Sequence, residues 1–589
     1  MKKIKVLTGL CLLLCLGIAG ETPKGYPEQT IRYFKAQQAI FTLKTNALKA
    51  AIEKYDPSRP VTIAQAKDAL KECRIAYKRI SFFLEYFFVS EAYVFNTPAK
   101  YEVEEPYIEY EEPVGLQQIE ALLYSNASKE ELMQQADIVA ETAAGLPALL
   151  YNFRATDAQV MESIQLELIR IQSLYITGYD APSLQCGIPE AAAAMDALRN
   201  VIGVDSIREA MSGAFNYLSG HPDFNSFDRL EFITDYAMPV QRMLSHAAAT
   251  HTVRALNTTA IYGSRDAFKK ETYTQGADIT VDGKGDVLRN TNSAPGNGKG
   301  DILRNAGNSA PEIGYDTALG RLLFFEKKLS GNMQRSCATC HIPGKHFTDG
   351  MARNTSLLGG SLPRNTPTLL YSTYQYAQFW DGRAKSLEEQ IDVVLHSPAE
   401  MGGTDDSIVA RLQMPKAKMI RALAAYIRTL TPFNSPFDHY LAGDKSAMTG
   451  QQKHGFNIFM GKARCGSCHF APLFNGLTPP LFNRTEFEIL GVPLYSDLQY
   501  PVADTDRGRI AVFPVTFYEG AFKTPTVRNA AATAPYMHHG NFSTMQQVID
   551  FYNQGGVTPV MHQTLSTDTL GLDKAEQQAI ISFLEALVD

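Results

Sequence analysis

Residues 337–341 read Cys-Ala-Thr-Cys-His, and residues 465–469 read Cys-Gly-Ser-Cys-His. The pattern C-x-x-C-H attaches c-type haem, because the two thiols add to the haem vinyl groups and the adjacent histidine comes within reach of the iron. Zinc is the alternative for cysteine pairs with histidines, but the wide separation of the two pairs along the chain argues against one shared ion. The motifs therefore predict two covalent haems, held by Cys337, Cys340 and His341 and by Cys465, Cys468 and His469.

The sequence around these motifs resembles one family from about residue 311 to residue 589. Five blocks keep the order and spacing of the bacterial di-haem cytochrome c peroxidase and MauG family. The resemblance implies two mainly helical cytochrome-c-like domains with one haem each, a calcium ion near their interface, peroxide chemistry at the first haem and electron handling at the second. The blocks are LGRLLFFEKKLSGNMQRSCATCHIPGKHFTDG (319–350), PRNTPTLLYSTYQYAQFWDGRAKSLEEQ (363–390), SPAEMGG (397–403), GFNIFMGKARCGSCH (455–469) and FKTPTVRNAAATAPYMHHGNFSTMQQVIDFYNQGG (522–556).

Three residues between the motifs carry the predicted chemistry. A haem that reacts with peroxide needs an open iron face and an acid–base group that moves a proton between the two oxygens as their bond breaks. The resemblance implies this role for Glu400, a distal amide in Gln390, and an electron relay in Trp380, the only tryptophan of the chain. From the residues alone, Glu400 is a carboxylate in solvent, Gln390 an ordinary helical residue and Trp380 a core residue.

The position sixteen residues after His341 separates two kinds of family member. Peroxidases that need reductive activation carry a histidine there, and it blocks the resting iron, whereas this chain has Leu357. We therefore expect the first haem to be five-coordinate and to react with peroxide in its ferric state. His346 and Met351, in the same loop, are the alternative ligands.

The second haem has its own diagnostic position, fourteen residues after His538. The common peroxidases carry methionine there, whereas MauG and its near relatives carry tyrosine, as this chain does at Tyr552. Phenolate is a harder, anionic donor than a thioether, so it favours ferric iron and lowers the reduction potential. A core tyrosine that binds no iron is the alternative.

Calcium is the third cofactor that the resemblance implies. The matched positions are Asn365 and the backbone carbonyls of Thr533 and Pro535. Oxygen donors of this kind suit a hard cation. Water would complete the shell.

The beginning of the chain predicts export. Residues 1–20 combine a basic start, an apolar run and small residues, which is typical of a secretory signal peptide. We therefore expect a periplasmic protein, with an uncleaved membrane anchor as the alternative. Cys73 and Cys186 either form a disulfide after export or stay as two buried free thiols.

The predicted architecture is all-α. Residues 21–265 show apolar residues at three- and four-residue spacings and predict a helical bundle. Within it, residues 115–124 (GLQQIEALLY) weakly resemble the helix start of imelysin-type periplasmic bundles, with Gln117 where those carry histidine; an unrelated bundle is the alternative. A Gly/Asn-rich linker with a tandem repeat (266–311) precedes the two predicted haem domains, 312–446 and 447–589.

The charge balance narrows the possible partners. The chain has 55 Lys and Arg against 62 Asp and Glu, a net charge of -7, which disfavours nucleic-acid binding. The favoured hypothesis is a di-haem peroxidase that reduces hydrogen peroxide with electrons from a small c-type cytochrome. The alternatives are a MauG-like oxidase that uses high-valent iron on a protein or organic substrate, and a di-haem electron carrier or redox sensor. A homodimer is left open.

Overall fold

The computed structural model describes residues 25–104, 109–250, 279–281, 287–289, 310–556, 560–566 and 568–589. The predicted signal peptide and most of the predicted linker with its tandem repeat lie outside these residues. The regular structure within them is helical apart from three two-stranded antiparallel sheets. The predicted helical class is confirmed, whereas the domain boundaries stay predictions.

Helix α1 shows how the N-terminal helices build their core. Phe34, Phe41 and Leu48 follow one another at seven-residue intervals and are fully buried, so one face of α1 packs on α2 and α6. π-helical segments extend α7 (Ile171–Tyr175) and join α10 to α11 (Phe232–Ala237). The helices are α1 (Tyr26–Ile52), α2 (Pro60–Lys78), α3 (Ser81–Phe87), α4 (Val89–Asn96), α5 (Leu116–Tyr124), α6 (Lys129–Gly145), α7 (Asp157–Arg170), α8 (Gly187–Val201), α9 (Asp205–Gly220), α10 (Arg229–Glu231) and α11 (Met238–Thr250).

Buried polar groups lie between these helices. Arg74 on α2 donates from Nε to Glu190 Oε1 on α8 at 2.7 Å, and both side chains are almost fully buried. Cys186 donates from Sγ to the same oxygen at 2.9 Å. Cys186 and Cys73 are both buried free thiols, so the disulfide alternative is not what the structure has. Gln117 is buried too, and the imelysin-like resemblance of its segment stays a prediction.

The described strands pair in short antiparallel hairpins. In the N-terminal part, β1 (Glu102–Glu104) pairs with β2 (Glu109–Glu111), and further along the chain β3 (Ile279–Val281) pairs with β4 (Val287–Arg289). Strands β5 (Phe487–Ile489) and β6 (Ala521–Lys523) pair with Glu488 opposite Phe522. The helices are α12 (Ala310–Phe324), α13 (Cys337–Cys340), α14 (Leu387–His396), α15 (Asp405–Leu412), α16 (Lys416–Arg428), α17 (Pro436–Leu441), α18 (Gly450–Met460), α19 (Met545–Asn553) and α20 (Lys574–Glu585).

The same close helix crossing occurs once beside each motif. Helix α12 packs on α16, and α18 packs on α20. A Cβ atom at Gly320 would lie 1.8 Å from Ala422 O, and one at Gly455 would lie 1.9 Å from Ala579 O. Only glycine permits backbones to approach this closely. Each of these crossings involves the helix that precedes a Cys-x-x-Cys-His motif: α18 ends shortly before Cys465, and α12 is separated from Cys337 by a longer loop.

Two hydrophobic cores support the two motifs. The first motif has its own core, built around Phe324, Leu423 and Ile427. The second motif shares one continuous core with the N-terminal helices, which includes Phe34 at one end and Phe583 at the other. In the part of the chain that the structure describes, no helix is both long and apolar enough to cross a bilayer.

Candidate haem-binding site and active site

The first Cys-x-x-Cys-His motif forms the single helical turn α13. The Ser336 amide donates to Thr339 Oγ1 at 3.0 Å and closes the start of the turn. Directly after it, the His341 ring donates from Nδ1 to Phe347 O at 3.1 Å, and the backbone of Pro367 also hydrogen-bonds to the ring. A ring held at Nδ1 leaves Nε2 as the nitrogen that can bind a metal.

The second motif holds its histidine in the same way. Cys465–Ser467 form a 3-10 turn, and His469 Nδ1 lies 3.0 Å from Pro525 O and 3.2 Å from Phe474 O. Burial lowers the pKa of His469 to about 4 and lowers the pKa of His341 as well. Both rings are therefore neutral at neutral pH, which is the form that binds iron.

Both motifs line one cavity of about 1640 Å³. This volume exceeds the roughly 300–1,000 Å³ of ordinary small-molecule sites, and the set of two thiols and one imidazole occurs twice in its wall. The residues present therefore fit two haem groups. Every site residue that the sequence predicts lines this cavity: Cys337, Cys340, His341, Asn365, Trp380, Gln390, Glu400, Cys465, Cys468, His469, Thr533, Pro535 and Tyr552.

Gln390 and Glu400 line the cavity near the first motif. Gln390 belongs to α14, which packs on α16, and Glu400 follows in the loop after α14, where Arg335 Nη1 approaches its backbone oxygen at 3.5 Å. Glu400 is also close enough to Cys340 to act on that thiol electrostatically. Among the described residues, none hydrogen-bonds to the Gln390 amide or the Glu400 carboxylate. Both groups are therefore available to a molecule in the cavity.

Trp380 lies between the segments that support the two histidines. Its Nε1 donates to Asn365 O at 3.0 Å, in the segment that leads to Pro367. Its carbonyl accepts from the Lys523 amide at 2.8 Å, in the strand that leads to Pro525. Pro367 and Pro525 are the prolines that hydrogen-bond to the two motif histidines. Trp380 is thus connected to one half of the site by its indole and to the other by its backbone carbonyl.

The loop that contains Leu357 places none of the candidate iron ligands in the cavity wall. The Leu357 amide donates to Ala399 O at 2.8 Å, which places Leu357 beside the loop of Glu400. Neither Leu357 nor the two alternatives, His346 and Met351, belongs to the cavity wall. The structure therefore does not bring either alternative ligand to the site.

Tyr552 lies on α19 and lines the cavity. Burial raises the pKa of its phenol, so an uncompensated phenolate is disfavoured there. Within the described part of the chain, its hydroxyl has no hydrogen-bond partner. A cation in the cavity would stabilise the phenolate, which is the form that binds iron.

The three predicted calcium positions also line this cavity. Asn365 donates from Nδ2 to Met351 O at 3.0 Å and approaches Ala352 O at 3.3 Å. The side-chain oxygen of Asn365 is therefore the atom of this amide that is left to bind a cation. Thr533 and Pro535 line the same cavity, and the calcium assignment stays a prediction.

Comparison with known proteins identifies the arrangement. A family model described as di-haem cytochrome c peroxidase matches residues 315–446. Cytochrome-c peroxidase IdrP2 of Denitromonas iodatirespirans is 35% identical over 306 residues, which cover 46% of this chain and 80% of the relative. Methylamine utilization protein MauG of Methylorubrum extorquens is 34% identical over 290 residues, 46% of this chain and 77% of the relative.

The chain belongs to the di-haem cytochrome c peroxidase and MauG family. It is therefore a haem oxidoreductase, and the family implies two haem c groups. A solved MauG-like protein associated with microbial copper homeostasis is 30% identical, with a TM-score of 0.40, over 46% of this chain and 89% of that one.

The N-terminal part, which lies outside the family model, supplies part of the cavity wall. Pro182 and Ser183, in the loop before α8, line the cavity. Tyr179 contacts Phe470 edge to face, with ring centroids 5.4 Å apart, directly beside His469. No local pattern in the sequence indicates this contact, because the two segments lie far apart along the chain.

Lys523 is a further site residue that the sequence analysis missed. Its ammonium hydrogen-bonds to Gln375 Oε1 and to Ala377 O, the latter at 3.0 Å. Burial lowers the pKa of Lys523 to about 7, although the negative charge of Asp381 opposes this effect. The sequence did contain a clue to Lys523. It lies inside the block at 522–556 that matches the family, and a lysine is rarely buried for packing alone.

Proposed function

We propose that this family member is a di-haem cytochrome c peroxidase of the periplasm. It reduces one hydrogen peroxide to two waters with two protons and two electrons, and a small c-type cytochrome supplies the electrons. The observation that carries the proposal is that both haem motifs, Glu400 and Trp380 line one cavity. The cytochrome-c peroxidases among the relatives support the same reaction.

The chain has the residues to hold both haems. Cys337, Cys340 and His341 would hold the first, and the second motif would hold the other. When bound, the haems supply one-electron redox chemistry and the iron at which the peroxide bond breaks. The hydrogen bonds at Nδ1 of the two histidines orient both rings and leave Nε2 of each as the nitrogen that would bind iron.

Glu400 is the proposed proton carrier. Heterolysis of the O–O bond requires a proton to leave the oxygen near the iron and reach the departing oxygen. The carboxylate of Glu400 accepts the first proton and delivers it to the second oxygen, and the Gln390 amide donates a hydrogen bond that holds the peroxide. Both side chains line the cavity, and no described residue hydrogen-bonds to the Glu400 carboxylate or to the Gln390 amide.

Trp380 is the proposed electron relay. Trp380 would relay electrons between the haem that His469 would hold, where the donor would deliver them, and the haem that His341 would hold. The support is that Trp380 hydrogen-bonds on one side to Asn365 and on the other to Lys523. An aromatic ring accepts an electron or hole more readily than the aliphatic side chains around it.

A MauG-like oxidation of a protein or organic substrate is the second candidate. Tyr552 favours it, since the phenol lines the cavity where the common peroxidases carry a thioether ligand. As an axial ligand, the phenolate of Tyr552 would lower the reduction potential of the second haem. The same residues and the same cavity would serve both candidate functions. They differ in whether a cytochrome or the oxidised substrate supplies the electrons.

The two remaining cofactor and location assignments are part of the proposal. Calcium would be bound by the side-chain oxygen of Asn365 and the carbonyls of Thr533 and Pro535, a hard donor set. Export to the periplasm would supply the compartment in which c-type haem is attached and the donor cytochrome is found.

Steady-state oxidation of reduced cytochrome c tests the proposed function. Peroxide added to the holoprotein should start oxidation of the cytochrome, and Glu400→Gln should slow it by about 10²–10⁴-fold with unchanged haem absorption. Asp406→Asn, an exposed carboxylate on α15, is the matched control and should keep full activity. Peroxide consumption without cytochrome oxidation would support the oxidase instead, and no reaction with peroxide would leave an electron carrier.

A further inference from the structure

Three side chains that the proposed peroxidase does not use converge at the cavity wall. His538 Nε2 lies 2.5 Å from Asp504 Oδ2, His539 Nδ1 lies 3.1 Å from His538 Nε2, and His539 Nδ1 lies 3.8 Å from Asp504 Oδ2. Both histidines are more than nine-tenths buried, with 4% and 8% of their surface exposed. All three residues line the cavity.

Each of the three side chains is held from its far side. His539 donates from Nε2 to Leu494 O at 3.3 Å. The ring of His538 stacks on Phe522, with centroids 3.7 Å apart and planes 12° from parallel. Asp504 Oδ1 accepts from the Thr505 amide at 2.7 Å. Supports of this kind orient the ligands of protein metal sites.

The hydrogen bonds leave two lone pairs facing one point, and one tautomer of His538 adds a third. His539 carries its proton on Nε2, toward Leu494, so its Nδ1 presents a lone pair. Asp504 Oδ2 also accepts. His538 Nε2 lies between these two acceptors, and it either shares one proton with both or turns a third lone pair to the same point. The second arrangement is that of a metal site.

The separations come close to those around a bound divalent ion. Metal–nitrogen and metal–oxygen bonds of about 2.0–2.2 Å place neighbouring ligand atoms about 2.8–3.1 Å apart in an octahedral shell and about 3.3–3.6 Å apart in a tetrahedral one. Of the observed separations, 3.1 Å lies within these limits, and 2.5 and 3.8 Å lie just outside them. The nearby guanidinium of Arg364 is neutralised by Asp506 and Asp381, so it does not occupy the carboxylate of Asp504.

The donor chemistry distinguishes this cluster from the calcium positions. Calcium binds oxygen ligands, whereas two imidazoles and one carboxylate suit zinc and the other first-row divalent ions. None of the three donor atoms belongs to Asn365, Thr533 or Pro535. The open side of the cluster faces the cavity, so further positions remain for water or a small ligand.

We propose that Asp504, His538 and His539 form a binding site for a first-row divalent transition-metal ion, separate from both haems and from the predicted calcium ion. The site has three protein ligands and an open face, the arrangement that in other proteins leaves room for an exchangeable ligand.

Zinc uptake by the untagged holoprotein tests the proposal. After treatment with a chelator, the protein is dialysed against micromolar Zn²⁺ in excess Ca²⁺, which keeps oxygen-only sites occupied, and its zinc and iron are measured by elemental analysis. Two haem irons per chain provide an internal count, so the expected result is one zinc for every two irons. His539→Asn and, independently, Asp504→Asn should each weaken zinc binding by at least about tenfold.

Two controls keep this result specific. His396→Asn disrupts the exposed Asp392–His396–Asp405 cluster and should leave the zinc-to-iron ratio unchanged. Unchanged haem absorption and circular dichroism must accompany the loss of zinc in each variant. If the parent protein retains no more zinc than His539→Asn and Asp504→Asn do, the three side chains are a hydrogen-bonded group only, and the proposal is wrong.

Discussion

The ammonium of Lys100 forms an ion pair with the carboxylate of Glu486, which lies 386 residues later in the chain. Lys100 Nζ also lies 3.8 Å from Glu488 Oε1, and Glu488 lines the haem cavity beside the second motif. A side chain from the N-terminal part therefore compensates two buried acidic groups next to the second haem site.

Lys100→Met should lower the free energy of unfolding. The side chain of Glu486 is only 6% exposed, so removal of its partner leaves a buried acceptor poorly compensated, at a cost of about 1–3 kcal/mol. Lys54→Met, an exposed lysine on the N-terminal surface, is the control and should cost less than about 0.5 kcal/mol. Denaturant unfolding of the holoproteins measures both.

The contribution of the Lys100–Glu486 ion pair to stability should decrease on acidification. Burial alone would raise the pKa of Glu486, but the charges of Lys100 and Arg484 outweigh it and lower the pKa to about 2. The carboxylate therefore contributes stability that is fully present above about pH 5 and is lost as the pH falls toward 2. The coupling between Lys100→Met and Glu486→Gln in a double-mutant cycle should be constant at pH 5–8 and smaller at pH 3. A coupling that grows on acidification would contradict the assignment.

Tyr552→Met should raise the reduction potential of the second haem. A thioether stabilises ferrous iron better than a phenolate does, and axial ligands shift haem potentials over a range of about 0.8 V. A rise on the order of 100 mV or more is expected in a spectroelectrochemical titration. Tyr536→Phe, at another tyrosine that lines the cavity, should leave the potential unchanged. Equal potentials for the parent protein and Tyr552→Met would show that Tyr552 is not a ligand.

Leu357→His should create a resting state that requires activation. An imidazole in this loop is the feature by which activated relatives block the first iron, and the leucine side chain has no donor atom. The fully ferric variant should react with peroxide much more slowly than the half-reduced one, as followed by stopped-flow absorption. Leu358→His, with Leu358 75% exposed, is the adjacent control. Immediate reaction of both ferric variants would mean that the loop does not reach the iron.

Trp380→Phe should separate peroxide chemistry from electron supply. The substitution removes the Nε1 bond to Asn365 O, which costs about 1 kcal/mol of stability, and it removes the indole between the two halves. The ferric protein should still consume one equivalent of peroxide, while electron transfer from the second haem to the first becomes slower. Unchanged electron-transfer rates would eliminate the relay role.

Local chemistry explains which parts of the site were predictable. A haem attachment motif needs its thiols and its histidine within five consecutive residues, so the sequence alone reveals it. Trp380, Gln390 and Glu400 follow at the family's spacing from His341, Tyr552 follows at its spacing from His538, and all four line the cavity. Their roles stay predictions, because position in a wall does not establish participation in the reaction.

The residues that sequence analysis missed depend on contacts between distant segments. Lys100 and Ser183 come to this site from loops of the N-terminal part that no motif connects to it. Asp504 meets His538 and His539 only because the loop before β6 folds against the segment after it. Patterns of three, four or seven residues contain no information about such pairs, so only the folded chain shows them.

The hydrophobic core that the N-terminal helices share with the second motif bears on whether the catalytic half can stand alone. Phe34 and Phe583 belong to the same cluster of buried residues. Removal of the N-terminal helices would expose apolar side chains around the second motif to water. The isolated catalytic half is therefore expected to aggregate more readily than the full chain.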